Sequence, residues 1–389
     1  MKIGSYLFHY PQPCGTTFAA RGLSRGLAKL GHNVKLYCCG EKDGKGEEHL
    51  ANREVVHFTR NGIDHPFRVP KPLLDRLRRN EDALDLLLIH GNFNPRNVAV
   101  AAAARSGRIP YIVCPSSLYH PELFGKRRFV KNAYWTIFEK PMLKSALAVQ
   151  VFANSQAAVL NAFGVTRPVF VVPNGFDPSE VPEPETVDVA QNLIGDPRIL
   201  FLGRIDMHTK GLDLLIRGLA LGISNKRLPS DLCINLVGPD WGDRAKLAQL
   251  SADLGISENV KFFGRVDERW AVLFASDIVV LASRHDSFPT TVIEALAASK
   301  AVIVSEETGV AESIQQHGCG FVVKPEVESI CTGLEHALEK RSLWSSMGER
   351  GRAFVHDSLN WESIAKEASS RYQQLPGLTL HHEAMATCS

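Results

Sequence analysis

The stretch Ser-Arg-His-Asp-Ser-Phe-Pro-Thr-Thr-Val-Ile-Glu-Ala-Leu-Ala, residues 283–297, decides the predicted fold of this chain. An apolar run at 277–281 predicts a buried strand before it, Pro289 suits the first position of a helix, and residues 302–305 predict the next strand. In open parallel sheets ligands bind at the carboxyl ends of the strands, where a helix amino end offers N–H groups to an anion. The backbone of four residues is therefore a candidate phosphate cradle: Phe288, Pro289, Thr290 and Thr291.

Two carboxylates flank the start of this helix, Asp286 in the loop and Glu294 in the helix, with seven residues between them. At about 1.5 Å per residue, Glu294 lies roughly one and a half turns from the loop. The two acids can therefore reach opposite ends of one elongated ligand whose phosphate lies between them. The alternative is that Glu294 only complements the helix dipole.

An acid, seven residues and then Glu resembles the donor-binding signature of retaining GT-B glycosyltransferases, notably the large family 4 of group 1 type. The resemblance implies that Glu294 holds the ribose hydroxyls of a nucleotide sugar, that Asp286 meets the sugar hydroxyls, and that the amides of 288–291 meet the diphosphate. This chain has Asp286 where many members have Glu, which shortens the reach by one methylene, and Ser299 where they usually have Gly.

Two cations are expected near the same site. Residues 199–204 predict a strand, followed by a loop that carries Arg204 and Lys210 and by a helix at 212–220. Two cations six positions apart can bracket a diphosphate and offset the charge of a leaving group. The resemblance assigns Arg204 and Lys210 this role, and it places a nucleobase edge against the backbone around Gly264 and Arg265.

The first half of the chain predicts a Rossmann-type opening, with a strand at 3–9, a helix at 16–30 and a strand at 34–39. It lacks Gly-x-Gly-x-x-Gly, and no acid follows the second strand until Glu41, so a nicotinamide cofactor is weakly supported. Cys14-Gly15 resembles the Gly-Gly loop that approaches the diphosphate and the acceptor in family 4. Gly15 is therefore a candidate donor contact.

Acceptor or sugar contacts are expected after two further strands, at 86–90 and 111–114. His90 either contacts a substrate or only hydrogen-bonds the loop backbone. Many family members carry Pro-His-Gly after the later strand, but this chain has Ser116 and Ser117 in those places. The usual His cannot be carried over, and His120 is a substitute candidate.

A stretch with basic and aromatic residues follows. Its basic residues are Lys126, Arg127, Arg128 and Lys131, and its aromatic residues are Phe124, Phe129, Tyr134, Trp135 and Phe138. Such a helix can lie on an anionic membrane, where many relatives meet lipid-linked acceptors. The short cluster and Glu139 favour the alternative, a solvated helix whose aromatic side chains pack in the core.

The bulk properties narrow the class of protein. A chain of 389 residues predicts two domains, and a net charge of +2 does not favour a nucleic-acid partner. Eight scattered cysteines without Cys-x-x-Cys predict reduced thiols rather than a zinc site or disulfides. We see no signal peptide and no apolar run near the roughly 20 residues that span a bilayer. We therefore expect a cytoplasmic protein, with the inner face of the membrane as an alternative location.

The predicted fold is α/β with two Rossmann-like domains, and the resemblance implies that they face a central cleft and that a C-terminal helix crosses back to the first domain. Residues 1–177 form the acceptor-binding domain, joined by the returning helix at 357–375. A linker covers 178–197, and residues 198–356 form the nucleotide-sugar domain. Within the first domain, residues 151–154 predict a strand followed by a capped helix.

The resemblance to family 4 implies a retaining hexosyltransferase, and we expect it to need no metal and no cofactor. No Asp-x-Asp metal motif occurs in the chain, and Arg204 with Lys210 can supply the charge instead. The favoured donor is UDP-glucose, the acceptor is a hydroxyl of a saccharide or lipid-linked molecule in cell-surface polysaccharide synthesis, and the protein is a monomer or weak oligomer. The alternatives are a sugar-nucleotide 2-epimerase, a nicotinamide-dependent oxidoreductase and a non-catalytic sugar-nucleotide-binding protein.

Overall fold

The computed structural model describes residues 1–8, 15–39, 52–58, 68–115, 128–187 and 193–378. The chain folds as two compact units, one formed by Met1–Gly175 with the residues from Leu359 onward and the other by Phe176–Ser358. Predictions that concern Cys14, Ser116, Ser117, His120, Phe124, Lys126 and Arg127 lie outside the described residues.

The first unit is built on a parallel sheet. Its described strands are β1 (Lys2–Leu7), β2 (Asn33–Cys39), β3 (Arg53–Phe58), β4 (Leu86–His90), β5 (Tyr111–Cys114), β6 (Ala148–Val151) and β7 (Val169–Val171). They run in the spatial order β3-β2-β1-β4-β5-β6-β7. Its described helices are α1 (Gly15–Lys29), α2 (Lys71–Arg78), α3 (Pro95–Ser106), α4 (Arg128–Tyr134), α5 (Lys140–Ser145), α6 (Asn154–Ala162) and α14 (Trp361–Gln373), with a π-helical turn at Trp135–Glu139. The central strands β1 and β4 are buried almost throughout because helices cover both faces of such a sheet.

The second unit has a parallel sheet of its own. Its strands are β8 (Ile199–Leu202), β9 (Ile234–Val237), β10 (Val260–Gly264), β11 (Ile278–Leu281), β12 (Ala301–Ser305) and β13 (Gly320–Val323), in the order β10-β9-β8-β11-β12-β13. Its helices are α7 (Leu212–Ser224), α8 (Arg244–Asp253), α9 (Arg269–Ala275), α10 (Thr290–Ala297), α11 (Ala311–His317), α12 (Val327–Glu339) and α13 (Trp344–Ser358), with short 3-10 turns at Pro178–Glu180, Pro184–Thr186, Ser257–Asn259 and Arg341–Leu343. The predicted pair of Rossmann-like halves is confirmed.

The last helix, α14, belongs to the first unit. The ring of Trp361 lies 5.7 Å from that of Phe18 on α1. Farther along, the hydroxyl of Tyr372 donates a 2.6 Å hydrogen bond to Gln150 Oε1 on β6, and both side chains are buried. These contacts confirm the predicted return of the C-terminal helix.

Several predicted boundaries differ from the observed ones, among them those of β6 and α10. The strand predicted at 151–154 is β6 at Ala148–Val151, and Asn154 already begins α6. The polar Gln150 interrupts the apolar pattern of this strand, and its burial is possible because Tyr372 satisfies its side chain. The helix predicted to start at Pro289 starts at Thr290, with Pro289 as its N-cap residue.

The basic and aromatic stretch was interpreted as a helix whose aromatic side chains pack in the core. This interpretation is wrong for two of the aromatic residues. Phe129 is 89% exposed and Phe138 is 39% exposed, whereas Trp135 is buried. Glu139, which argued for a solvated helix, is fully buried and accepts a 3.0 Å hydrogen bond from the backbone N–H of Phe93. The helix therefore presents apolar side chains outward and a carboxylate inward.

Candidate active site

The sheet of the second unit reverses its strand order between β8 and β11. At such a point the connections leaving the two strands run to opposite faces of the sheet, which opens a crevice at their carboxyl ends. Lys210 lies in the loop after β8, and Asp286 lies in the loop after β11. The predicted basic and acidic residues therefore follow the two strands that border the crevice.

Lys210 and Asp286 form an ion pair across this point. Lys210 Nζ donates a 2.5 Å hydrogen bond to Asp286 Oδ2. Their side chains are only 15% and 18% exposed, so salt screens the pair less than a surface ion pair. The ammonium and the carboxylate hold each other in one place beside the start of α10.

Arg284, which the sequence analysis did not single out, joins the same two loops. Its guanidinium donates two 2.7 Å hydrogen bonds to the carboxylate of Asp213 on α7 and one of 2.9 Å to the carbonyl of His208. Its backbone N–H donates to the carbonyl of Thr209 at 3.1 Å. A bidentate arginine–carboxylate pair fixes orientation as well as distance, so it sets the register between the loops.

Gly211 permits the close approach of these loops. Its φ of +63° lies in the left-handed region, and a Cβ atom at this position would overlap the carbonyl oxygen of Ala282. Because only glycine lacks that atom, Gly211 allows the chain beside Lys210 to lie directly against the end of β11.

The other flank of the Asp286 loop is held by the loop after β12. The N–H of Asp286 donates to the carbonyl of Glu307 at 3.1 Å, and the N–H of Gly309 donates to the carbonyl of Asp286 at 2.8 Å. The backbone of Asp286 is therefore fixed on one side while its carboxylate is fixed on the other by Lys210.

Glu294 lies on α10, and its side chain is 14% exposed. Arg269 Nε lies 2.9 Å from Glu294 Oε1, and Arg269 Nη2 donates to Glu180 Oε2 at 3.3 Å. Burial raises the pKa of the Glu294 carboxyl to about 7, against the opposing effect of the Arg269 charge and with a smaller contribution from Glu180. Near neutral pH this carboxyl is thus divided between its protonated and ionised forms.

The start of α10 offers backbone donors. Its N-cap residue is the buried Pro289, whose side chain cannot accept a hydrogen bond, so it does not cap the first N–H groups. The neighbouring Phe288, Thr290 and Thr291 are half-buried. This geometry suits an anion beside the helix end.

The remaining predicted donor contacts lie directly after β8, at the end of β10 or in the first unit. The guanidinium of the exposed Arg204 stacks over the ring of Trp241, with 4.8 Å to the ring centroid. Gly264 ends β10, and Arg265 after it is 78% exposed, with Nε 4.0 Å from Asp267 Oδ1. Gly15 is the exposed first residue of α1.

The first unit has a pocket of about 320 Å³ at the carboxyl ends of β1 and β4, where its own strand order reverses. Its lining includes Leu7, Phe8, Thr16, His90 and Arg96. The guanidinium of Arg96 lies 3.5 Å from the centroid of the Phe8 ring. An aromatic and cationic wall of this kind suits a polar organic ligand.

His90 is buried at the end of β4 and lines this pocket. Its Nε2 and the hydroxyl of Ser5 form a 2.9 Å hydrogen bond, and Asn97 Nδ2 donates to its carbonyl at 3.0 Å. Burial lowers the pKa of the imidazole to about 4, so the ring is neutral at physiological pH.

Comparison with known families decides the class of the protein. Residues 15–180 match the model of Glycosyltransferase Family 4, and residues 185–354 match that of Glycosyl transferases group 1. The chain belongs to this family of glycosyltransferases.

Two relatives match this glycosyltransferase over nearly their whole length. An uncharacterized glycosyltransferase, MJ1607 of Methanocaldococcus jannaschii, is 25% identical and covers 96% of this chain and 98% of its own. The MMP alpha-(1->4)-mannosyltransferase of Mycolicibacterium hassiacum is 24% identical with the same coverage of 96% and 98%. Among solved structures, Anabaena HepE in complex with UDP is 20% identical and covers 96% of this chain and 100% of its own, with a TM-score of 0.70. The two parallel sheets and this similarity identify the GT-B fold.

Sequence reasoning missed the contact of Arg269 with Glu294. The motif pointed to Arg265, four residues earlier, but that side chain is exposed. Arg269 is the first residue of α9, and its distance from Glu294 depends on how α9 and α10 pack. No spacing rule within one element predicts that contact.

Within the described ranges, no group of three or more His, Cys, Asp or Glu side chains is arranged to hold a metal ion. In the same part of the chain, no helix combines the length and the apolarity that crossing a membrane requires.

Proposed function

We propose that this glycosyltransferase transfers a hexose, with glucose favoured, from a nucleoside diphosphate sugar to a hydroxyl of a saccharide or lipid-linked acceptor. The observation that carries the proposal is the Lys210–Asp286 ion pair beside the uncapped start of α10. It sets a cation, a carboxylate and the amino end of a helix without a side-chain cap at one edge of the sheet, which is the chemistry that a sugar diphosphate requires.

In this proposal Lys210 and Arg204 offset the charge that develops on the departing diphosphate. The half-buried ammonium of Lys210 is already held in place by Asp286, so little reorganisation is needed when charge forms. The proposed reaction needs no metal ion, and the check is turnover in the presence of EDTA. A turnover rate that falls strongly with EDTA and is restored by Mg²⁺ would contradict the proposed metal independence.

Glu294 is the proposed partner of the ribose hydroxyls, and Asp286 that of the sugar hydroxyls. Ionised carboxylates accept hydrogen bonds from hydroxyl groups, and both side chains are largely shielded from water. We favour UDP-glucose as the donor. A structural relative, HepE, is known in complex with UDP-glucose, at 18% identity and a TM-score of 0.68. The mannosyltransferases among the sequence relatives make GDP-mannose the second donor to test.

We propose retention of the anomeric configuration by front-face attack, in which the leaving phosphate accepts the proton of the acceptor hydroxyl. The C1–O bond to the diphosphate breaks as the bond from C1 to the acceptor oxygen forms. The proton coupling constant of the anomeric centre in the product distinguishes retention from inversion. Trapping of a glycosyl ester on Asp286 would replace this mechanism with a double displacement.

The acceptor is proposed to be presented at an anionic membrane surface. Within the 128–139 helix, the side chains of Phe129, Val130 and Ile137 are 89%, 68% and 61% exposed, and Lys131 and Lys144 are near them in sequence. Apolar side chains beside cations suit the headgroup region of anionic lipids. Co-sedimentation with phosphatidylglycerol vesicles is expected for the native protein and reduced for Phe129→Ser with Ile137→Ser.

The decisive test combines thermal-shift and turnover measurements with UDP-glucose, GDP-mannose and ADP-glucose. A ligand that binds only the folded state raises the melting temperature by mass action. A true donor must also be consumed when saccharide or lipid acceptors are added. A shift without consumption would favour a binding protein, and an isomerised nucleotide sugar without acceptor would favour an epimerase.

A further inference from the structure

We propose that Arg269 is a positioning residue for nucleotide binding: its guanidinium holds the Glu294 carboxylate beside the start of α10, and Glu180 competes with Glu294 for the same cation. The inference rests on the proposed function, in which Glu294 binds the ribose. It adds two residues that the donor-binding signature does not contain.

The contact of Arg269 with Glu294 is electrostatic rather than a directed hydrogen bond. Nε lies 2.9 Å from Glu294 Oε1, yet its N–H is not aligned for a hydrogen bond. Among the described residues no hydrogen-bond donor engages the Glu294 carboxylate. Its oxygen atoms therefore keep their lone pairs for hydroxyl groups of a ligand while the charge is balanced.

Glu180 also binds the guanidinium of Arg269, through a different nitrogen atom. Arg269 Nη2 donates to Glu180 Oε2 at 3.3 Å, and these two side chains are 43% and 38% exposed. The segment that carries Glu180 is fixed to α9 by its own packing, because the ring of Phe176 meets that of Trp270 edge-on at 6.3 Å. One cation is thus shared by the largely shielded carboxylate of Glu294 and the exposed carboxylate of Glu180.

This arrangement sets the charge of Glu294. Burial raises its pKa to about 7, Arg269 from α9 opposes the rise, and Glu180 from the 178–180 turn adds to it. Within the described part of the chain, these are the charged groups that act on Glu294. Loss of Arg269 and loss of Glu180 therefore shift its ionisation in opposite directions.

Nucleotide-sugar affinity should follow the ionised fraction of Glu294. Protonation removes the negative charge of the carboxylate and engages a lone pair on one of its oxygens, so its hydrogen bonds from ribose hydroxyls weaken and the Kd is expected to rise as the pH falls through 7. UDP-glucose, GDP-mannose and ADP-glucose are suitable probes because a diphosphate esterified at both ends loses no proton near neutral pH.

The experiment is calorimetric titration of each probe from pH 5.5 to 9 with the native chain, Arg269→Ala, Arg269→Lys and Glu180→Gln. In Arg269→Ala the midpoint of the pH dependence is expected to move upward by about 1 pH unit, and in Glu180→Gln it moves downward. Arg269→Lys restores most of the native midpoint. Glu294→Gln is the matched control and should bind weakly with no midpoint near 7.

The possible outcomes test the proposed function and the proposed role of Arg269 separately. If the native chain binds none of the three probes, the proposed function fails. If it binds one of them and Arg269→Ala weakens binding equally at every pH, Arg269 has only a structural role and the inference is overturned. Midpoints that move in the same direction for Arg269→Ala and Glu180→Gln overturn it as well.

Discussion

Lys210 Nζ lies 2.5 Å from Asp286 Oδ2, although 75 residues lie between them in the chain. The contact joins the loops that follow β8 and β11, the two strands between which the sheet order reverses. It provides one cation and one carboxylate that act as a unit.

Replacement of Lys210 by Ala should abolish most of the transfer activity. It removes the cation proposed to offset leaving-group charge and leaves the half-buried Asp286 carboxylate without this partner. We expect a fall in kcat of about 10² to 10³, the range found when one preorganised donor is removed from an active site. Lys246, an exposed lysine paired with Asp243, is the matched control, and Lys246→Ala should keep full activity. Near-native turnover of Lys210→Ala would exclude Lys210 from the chemistry.

Gly211→Ala should destabilise the protein more than Gly255→Ala. The two glycines have similar φ values, +63° and +70°, so the backbone strain of a side chain is matched. Only at Gly211 does the new Cβ overlap another atom, the carbonyl oxygen of Ala282, whereas open space surrounds it at Gly255. We expect the free energy of unfolding, measured by calorimetry, to fall by about 1 kcal/mol in Gly255→Ala and by at least about 3 kcal/mol in Gly211→Ala. Equal losses of unfolding free energy in the two variants would show that the loop at Gly211 moves away from Ala282 at little cost.

Glu294→Gln should gain stability relative to the native chain as the pH rises from 5 to 8. The folded-state pKa of about 7 lies above the ordinary value of 4.5, so ionisation costs stability across this interval. At full ionisation the cost is about 3 kcal/mol, and the neutral amide avoids it. The measurement is the difference in unfolding free energy between the two proteins at each pH, with exposed Glu349→Gln as the control. A difference that does not change with pH would place the pKa of Glu294 near its ordinary value.

His90 should stay neutral throughout the physiological pH range. Burial lowers its pKa to about 4, so the unfolded chain binds more protons between pH 4 and 6.5 and stability from this group is lost as the pH falls through that interval. NMR titration of the imidazole, assigned by comparison with His90→Gln, should show no transition above pH 5. A transition near 6.5 would mean that the ring is hydrated and that its hydrogen bond with Ser5 is open.

The strands and the convergence of Lys210 with Asp286 follow from local patterns in the sequence. The run Leu86–His90 was predicted with its observed bounds because apolar runs that end in turn residues identify buried parallel strands. Lys210 and Asp286 were expected at one edge because both follow predicted strands of the same sheet.

The features that sequence reasoning missed depend on side-chain packing between elements. A π-helical turn at Trp135–Glu139 shifts the phase of the helix, so a 3.6-residue period misassigns which face is exposed. The aromatic side chains of this stretch were predicted to pack in the core, but Phe129 is exposed, and the carboxylate of Glu139 is buried. The role of Arg269 likewise depends on the packing of α9 beside α10.

The Asp286 loop is fastened to its neighbours on both flanks, through Lys210 and Arg284 on one side and Glu307 and Gly309 on the other. Inserting or deleting a single residue between Ala282 and Pro289 would disrupt the contacts on both flanks of the loop together. We therefore expect this segment to tolerate exchanges of side chains better than changes of length, and any attempt to re-engineer it should leave its length untouched.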